Sequence, residues 1–152
     1  MKVLVISDSH GFESSLDMIL CKEQDCNMII HLGDGINDMG PLIRYTVGKP
    51  VYLIRGNNDF GLNVADKQVI KADGITIFAC HGHRLYVKYG LEKLYLQGLK
   101  ENAQLCLYGH THYQALEEFN GITLMNPGAA ANKRYAVVEV NGNTFTASLK
   151  SL

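Results

Sequence analysis

Five short apolar runs constrain this chain most, because each has the length of a buried strand and each leads into a side chain that can bind a metal ion. The runs are residues 3–6, 28–32, 51–54, 75–80 and 105–108. The polar side chains that follow them are, in the same order, Asp8 with His10, Asp34, Asn57, His81, and His110 with His112. In open α/β sheets, ligands bind outside the carboxyl ends of the strands. The five loops are therefore predicted to meet in one place.

The segments between these runs have the apolar spacing of helices. Apolar residues recur three and four positions apart between residues 16 and 20, and again between residues 91 and 99. Residues 36–47 predict a further short helix between the second and third strands. Strands that alternate with helices are typical of a parallel sheet. The first half of the chain is therefore predicted to be mostly parallel.

Three turn pairs in the second half predict β-hairpins. Asp73-Gly74, Asn120-Gly121 and Asn141-Gly142 each lie between strand-like segments, and such pairs tolerate the positive φ of two-residue hairpin turns. The last pair would join strands over residues 135–140 and 144–149. Together, the two halves predict an α/β fold: a two-sheet β-sandwich flanked by helices, with the polar side chains at the carboxyl ends of the strands.

Composition excludes several classes of protein. The 152 residues are 47% hydrophobic and 19% charged, which predicts one globular domain over residues 1–152. A net charge of -1 disfavours a broad basic surface for nucleic acid or anionic lipid. No apolar run approaches the roughly 20 residues that cross a bilayer. The four cysteines form no Cys-x-x-Cys pair and no signal-peptide pattern is present, so we expect a cytoplasmic protein without a membrane partner.

The spacing of the polar residues favours a shared metal centre over separate turns. In an extended chain, residues i and i+2 face the same way, so Asp8 and His10 can bind one metal centre together, as can His110 and His112. The donors are carboxylate, amide and imidazole without thiolate, a set that suits manganese, iron, zinc, nickel or cobalt. Taken singly, Asp34 fits a helix cap and each histidine fits a solvated residue. Five such positions at strand ends argue against coincidence.

Other polar positions keep two interpretations open. His31 either orients a metal ligand or is a hydrogen-bonded core histidine. Ser9 and His10 are adjacent and face opposite ways in an extended chain, so they form no nucleophile–base pair. Three arginines either clamp phosphate or are solvated surface residues: Arg55, Arg84 and Arg134.

Five motifs in this order resemble the calcineurin-like metallophosphoesterase superfamily. They are Asp8-Ser9-His10, Gly33-Asp34, Gly56-Asn57-Asn58-Asp59, His81 and Gly109-His110-Thr111-His112. The short chain, the opening MKVLVISDSHG, the His81-Gly82-His83 block and Asn126-Pro127-Gly128-Ala129 are similar to the small YfcE-like phosphodiesterase branch. The resemblance implies a two-sheet α/β sandwich with a dinuclear metal site at the strand ends.

The resemblance also implies a role for each matching residue. Asp8, His10 and His112 would bind the first ion, Asn57, His81 and His110 the second, and Asp34 would bridge the two. The implied cofactors are two divalent ions, with manganese expected and zinc, iron or nickel as alternatives. The implied reaction is hydrolysis of a small phosphodiester by in-line attack of a hydroxide that bridges the ions. Three residues would assist catalysis: Asn58, Asp59 and His83.

One position departs from the superfamily pattern, which has histidine where this chain has Asn58. A neutral amide donates a hydrogen bond but is no general acid at pH 7, which favours phosphodiesters over phosphomonoesters. Asp59 would orient a neighbouring group, and His83 would reach the site or a bound phosphate, or lie at the surface.

Other functions of the same fold are the alternatives. They are a non-catalytic scaffold similar to the retromer subunit, a phosphomonoesterase and a nuclease. The full ligand set favours an enzyme, and the near-neutral charge disfavours a nucleic-acid partner. A homo-oligomer is compatible with the resemblance.

Overall fold

The computed structural model describes residues 1–38 and 40–152, and their strands form two five-stranded sheets. The strands are β1 (Lys2–Ile6), β2 (Met28–His31), β3 (Val51–Leu53), β4 (Lys67–Ala72), β5 (Ile75–Cys80), β6 (Leu105–Leu107), β7 (Gln114–Phe119), β8 (Ile122–Pro127), β9 (Arg134–Asn141) and β10 (Thr144–Ser151). The first sheet has the order β10-β9-β1-β2-β3, and the second has the order β4-β5-β6-β8-β7.

Three α-helices lie among the described residues: α1 (Glu13–Lys22), α2 (Gly40–Tyr45) and α3 (Glu92–Lys100). Glu13 in the first turn of α1 and Lys22 in its last turn complement the helix dipole. Short 3-10 turns occupy Ile36–Asp38, His83–Leu85 and Ala130–Asn132. None of the helices in the described ranges is long and apolar enough to span a membrane.

Alternation along the strands divides the core into layers. In β1, Val3 and Val5 pack with apolar residues of the second sheet, whereas Leu4 and Ile6 pack with the buried side of α1. On the far side of the second sheet, Leu94 of α3 joins a third apolar cluster. Full burial of each such side chain contributes roughly 1.5–3 kcal/mol to folding. The two sheets therefore pack face to face, with helices on their outer faces.

The direction of the strands places the loops that carry the predicted ligands at one edge of each sheet. In the first sheet β1, β2 and β3 are parallel neighbours, and in the second sheet β5, β6 and β8 are parallel neighbours. Parallel strands end at the same edge of a sheet, so their following loops are neighbours. The two edges are joined directly, because the Ala130 N–H after β8 donates to the Ser7 carbonyl after β1 at 2.8 Å.

The predicted α/β two-sheet fold is confirmed, with small differences in its elements. The helix predicted over residues 36–47 is a 3-10 turn, Ile36–Asp38, followed by α2, and residue 39 lies outside the described residues. The final hairpin, β9 with β10, extends the first sheet beside β1. Its position depends on long-range pairing with β1, which local sequence patterns do not encode.

All three predicted hairpins form, and one turn differs by a residue. Asn120 and Gly121 both have positive φ, 47° and 79°, as a two-residue primed turn requires. In the last hairpin Asn141 pairs with Thr144 inside the ladder. The turn residues are therefore Gly142 and Asn143 instead of the predicted Asn141 and Gly142.

Candidate metal centre

The predicted ligands lie in the loops that follow β1, β2, β3, β5 and β6, and hydrogen bonds tie these loops together. The Asp8 N–H donates to the Gly33 carbonyl at 2.9 Å, which joins the first two loops. The Gly109 N–H donates to the His81 carbonyl at 3.0 Å, which joins the last two. The backbone of the site is therefore held by bonds between loops and not by each loop alone.

Three side chains form a first ligand cluster, Asp8, His10 and His112, whose potential ligand atoms lie within 4.8 Å of one another. The Nε2 atoms of His112 and His10 lie 3.2 Å and 3.6 Å from Asp8 Oδ1. The two Nε2 atoms are 3.1 Å apart. The three donors therefore surround one small space at the partly exposed rim of the site.

A second ligand cluster contains Asp34, His81 and His110, again with ligand atoms within 4.8 Å of one another. His81 Nε2 lies 3.5 Å from Asp34 Oδ2 and 3.1 Å from Asn57 Oδ1. The ring centroids of His81 and His110 are 5.1 Å apart. The structure therefore brings Asn57 to the same cluster as these three residues.

Asp34 lies between the two clusters. Its Oδ2 is 4.0 Å from His10 Nε2 of the first cluster as well as near His81 of the second. Asn58 donates to both carboxylate oxygens, through its N–H at 2.8 Å and its side-chain amide at 2.6 Å. Burial opposes the charge on Asp34, but the neighbouring His81 and the hydrogen bonds from Asn58 outweigh it and hold the pKa of Asp34 well below its ordinary range. This carboxylate is therefore ionised where both clusters can reach it.

One oxygen of Asp8 lacks a hydrogen-bond partner although it is buried. Its other oxygen, Oδ2, accepts hydrogen bonds from the Ser7 hydroxyl and from the His110 N–H at 3.1 Å. The Oδ1 atom, which faces His10 and His112, accepts none. An unsatisfied buried carboxylate oxygen costs about 1–3 kcal/mol, and a cation beside it would remove that cost. The first cluster thus fits a divalent ion.

His81 points an electron pair toward the second cluster. A carbonyl only accepts, so the contact of 2.7 Å between Nδ1 and the Leu32 oxygen places the ring proton on Nδ1. The near neighbours of Nε2 are then the oxygens of Asp34 and Asn57. Burial would lower the pKa of His81, but Asp34 and the charge of Asp8 outweigh it and raise that pKa. The oxygens thus favour a positive charge at this position, which a metal ion supplies.

His110 differs from His81 in the direction of its pKa shift. Burial, the neighbouring His81 and the charge of Lys88 lower the pKa of His110 to about 4. At pH 7 the ring is therefore neutral, which is the form that binds metal ions.

Five of the seven predicted ligands have a left-handed backbone. Their φ angles are 56° for Asp8, 47° for His10, 56° for Asp34, 67° for His110 and 65° for His112. Such a conformation is uncommon for residues other than glycine, and its clusters mark functional sites. The extended conformation predicted for Asp8-Ser9-His10 and for His110-Thr111-His112 is therefore wrong. Alternating left-handed residues, and not strand alternation, bring Asp8 and His10 to the first cluster and divide His112 and His110 between the first and the second cluster.

Two glycines are required where the loops after β2 and β3 approach each other. A Cβ on Gly56 would lie against the backbone N and the carboxylate of Asp34. A Cβ on Gly33, which has φ of 101°, would lie against the Gly56 backbone. Both positions therefore exclude side chains so that Asp34 can reach the centre of the site.

Asp59 supports the site by accepting hydrogen bonds from backbone N–H groups. Its Oδ2 accepts from the N–H groups of Asp34 and Gly56 at 2.7 Å and 2.8 Å, and its Oδ1 from those of Gly35 and Ile36, both at 3.0 Å. Burial would raise the pKa of Asp59, but the four backbone donors outweigh it and lower that pKa. Asp59 therefore orients the loop that carries Asp34. All four of these hydrogen bonds go to backbone N–H groups, and none goes to a ligand side chain.

Two further histidines lie around the clusters. His31 is fully buried, and its Nδ1 accepts from the Gly33 N–H at 3.1 Å, so it supports the loop that leads to Asp34. His83 lies with its ring centroid 5.4 Å from that of His81 and 6.1 Å from that of His110. It belongs to neither ligand cluster, and its role in catalysis stays a prediction.

Other residues support the site by binding the backbone of its loops. The amide of Asn126 in β8 donates to the Gly109 carbonyl at 2.9 Å and fixes the loop of His110. The Leu32 carbonyl acts through its backbone, so only the fold could identify it. Of the three arginines, Arg55 and Arg84 bind Asp66, and Arg134 donates to Gln114.

Comparison with known proteins shows the family of this chain. A family model described as the calcineurin-like phosphoesterase superfamily domain matches residues 1–143, and the chain belongs to that superfamily. It is 29% identical over 153 residues to the probable metallophosphoesterase YsnB of Bacillus subtilis, which covers 96% of this chain and 88% of that one. The resemblance inferred from the motifs is therefore confirmed.

Solved structures show the same fold. A predicted phosphoesterase from Streptococcus pneumoniae is 25% identical, has a TM-score of 0.81, and the match covers 99% of this chain and 88% of that chain. A single mutant of Vps29 from Entamoeba histolytica is 20% identical, also with a TM-score of 0.81, over 100% of this chain and 99% of that chain. At that identity the likeness to Vps29 concerns the fold alone.

Proposed function

We propose that this protein hydrolyses small phosphodiesters with two divalent ions, held by Asp8, His10 and His112 in one cluster and Asn57, His81 and His110 in the other, with Asp34 between them. The observation that carries the proposal is the pair of ligand clusters that meet at Asp34, whose Oδ2 lies 3.5 Å from His81 Nε2 and 4.0 Å from His10 Nε2. Oxygen and nitrogen donors do not discriminate among the divalent first-row ions, so the ligand set alone does not select the metal. Manganese is the metal we propose.

The ions, when bound, would lower the pKa of a water molecule and neutralise charge on the phosphoryl oxygens. The chain contributes the geometry that such chemistry needs. The Leu32 carbonyl fixes the tautomer of His81, and the Ser7 hydroxyl with the His110 N–H fixes the carboxylate of Asp8. Asp59 fixes the loop of Asp34. These contacts keep the donors in place, so little reorganisation is required on binding.

The proposal favours diesters because of Asn58. Its side-chain amide lies 2.6 Å from Asp34 Oδ2, at the centre of the site, and has no proton to give to a departing alkoxide at pH 7. A diester with an acidic leaving alcohol needs no such proton. A relative from Methanocaldococcus jannaschii that is 24% identical over 144 residues bears the name phosphodiesterase, which supports this choice.

We expect bis-p-nitrophenyl phosphate to be hydrolysed at least about tenfold more efficiently than glycerol 2-phosphate, a phosphomonoester whose leaving group is an alkoxide, in the presence of manganese. The expectation follows from the missing general acid, whose contribution to the departure of an alkoxide is typically 10²–10⁴-fold. The measurement is kcat/KM for both substrates. Asn58→His is expected to narrow the difference, and a wild-type preference for the monoester would contradict the proposal.

A non-catalytic scaffold is the second candidate, favoured by the structural likeness to Vps29. The complete donor set favours hydrolysis over a scaffold role. A surface that only binds partners needs neither the left-handed backbone of the ligands nor the unpartnered Asp8 oxygen. A small phosphodiester remains the proposed partner. The cytoplasmic location, the homo-oligomer and the single domain remain predictions.

A further inference from the structure

A cavity of about 440 Å³ opens beside the second ligand cluster. Its walls come from β4, β5, α3 and the segment after β5, and it is lined by Ala65, Asp66, Lys67, Phe78, Cys80, Gly82, His83, Arg84, Leu85 and Gln97. A volume of this size accommodates a ring system, since ligand pockets begin at about 300 Å³. No residue of the two ligand clusters lines it, so it is separate from the metal centre.

His83 forms the boundary between the cavity and the metal centre. It lines the cavity, while its ring centroid lies 5.4 Å from that of His81 and 6.1 Å from that of His110. Its Nδ1 atom is buried and has no hydrogen-bond partner. His83 is therefore common to the wall of the cavity and to the surroundings of the second ligand cluster.

The cavity has an uncharged base. Phe78 and Cys80 are buried, and Leu85 is half-buried beside them. These side chains offer dispersion contacts and no hydrogen bonds of consequence, so they suit an apolar or aromatic group.

The rim of the cavity is compatible with an anion. The only carboxylate among the lining residues is Asp66, and it is already paired with Arg55 at 2.6 Å and with Arg84 at 3.3 Å. Lys67 adds a further positive charge at the rim. A negatively charged phosphodiester therefore meets no unpaired negative charge on the way in.

We propose that this cavity binds the ester group that stays on phosphorus, and that it selects diesters whose retained group is a flat ring of phenyl to nucleobase size. The inference rests on the proposed function. In-line displacement puts the attacking and departing oxygens on one axis and leaves the retained group to its side. The cavity likewise lies to the side of the ligand clusters, whereas the exposed rim with His10 and His112 lets the alcohol depart.

The experiment holds the leaving group constant and varies the retained group. The substrates are phenyl p-nitrophenyl phosphate and methyl p-nitrophenyl phosphate, both of which release p-nitrophenolate. We expect the manganese-loaded protein to give a phenyl-to-methyl ratio of kcat/KM of about 10 or more, in line with burial of one ring. Ala65→Trp, which fills the cavity from its exposed rim, is expected to lower that ratio at least fivefold. Gln97→Trp on α3 is expected to act likewise.

Val69→Trp is the matched control. Val69 is an exposed residue of β4, two positions beyond Lys67, and does not line the cavity. Its variant is expected to keep the wild-type ratio. Ratios in folded Ala65→Trp and Gln97→Trp that equal the wild-type ratio would overturn the proposal.

A binding measurement separates this proposal from the proposed function. Calorimetry compares phenylphosphonate with methylphosphonate on the manganese-loaded wild type and on Ala65→Trp. If the protein hydrolyses neither diester, the proposed function fails, and a phenyl preference that Ala65→Trp removes would still support the cavity as a ring-binding site. Equal affinities for the two phosphonates in the wild type would overturn it.

Discussion

Asp34→Asn is expected to lower the hydrolysis of bis-p-nitrophenyl phosphate roughly 1000-fold or more, the loss typical of a group on which a whole catalytic unit depends. Asp34 is the one carboxylate placed between the two ligand clusters. The amide is neutral and cannot act as an anionic bridge. Its NH₂ group would also meet the Asn58 amide, which now donates to the carboxylate at 2.6 Å. Both metal binding and turnover are therefore expected to fall, as measured by kcat/KM and by metal content.

Asp73→Asn provides the matched control for this substitution. Asp73 has nearly the same backbone, with φ of 53° against 56° for Asp34, but lies in the turn between β4 and β5. Its Oδ2 accepts the Gly142 N–H at 3.0 Å, which an amide oxygen can replace. The control should retain full activity. Activity of Asp34→Asn within tenfold of the wild type would contradict the assigned role and favour a scaffold.

Asp59→Ala is expected to destabilise the fold by about 4 kcal/mol, an unusually large effect for one substitution. The carboxylate is 3% exposed and accepts four backbone N–H groups, which the variant would leave without partners. Each unsatisfied buried donor costs about 1–3 kcal/mol, and water entering the space would offset part of that. The free energy of unfolding in urea measures the loss.

Asp25→Ala is a suitable control, because Asp25 is exposed and its ion pair with Lys2 is worth at most about 1 kcal/mol.

The dependence of stability on acid pH provides a second test of Asp59. Its pKa is lower in the folded than in the unfolded state, so its contribution is complete above the unfolded pKa and is lost as pH falls through the folded value. Asp59→Asn should flatten this acid dependence. A loss below about 1 kcal/mol in Asp59→Ala would contradict the account.

The strands that lead to the site were predictable from the sequence, because they are short apolar runs with clear ends. Runs 28–32 and 51–54 correspond to Met28–His31 and Val51–Leu53, each within one residue. The order of the ligands along the chain also follows from the pattern, since parallel strands present their following loops at one edge. The location of the site was therefore predictable from local sequence.

The internal geometry of the site was not predictable in the same way. Asp8 and His10 converge through left-handed backbone, which the surrounding loops impose through bonds such as that from Asp8 to the Gly33 carbonyl. Asp59 looked like an orienting residue, but its partners are backbone N–H groups that have no sequence signature. The cavity beside His83 depends on β4, β5 and α3 meeting in space. Such features arise from tertiary packing alone.

The most direct test of the account is a titration of chelator-treated protein with Mn²⁺, in which bound metal and hydrolysis of bis-p-nitrophenyl phosphate are measured on the same samples. The two ligand clusters around Asp34 require that two ions bind per chain and that hydrolysis rises with their binding. Hydrolysis that is equal with and without metal, or two bound ions without any hydrolysis, would contradict a metal-dependent phosphodiesterase.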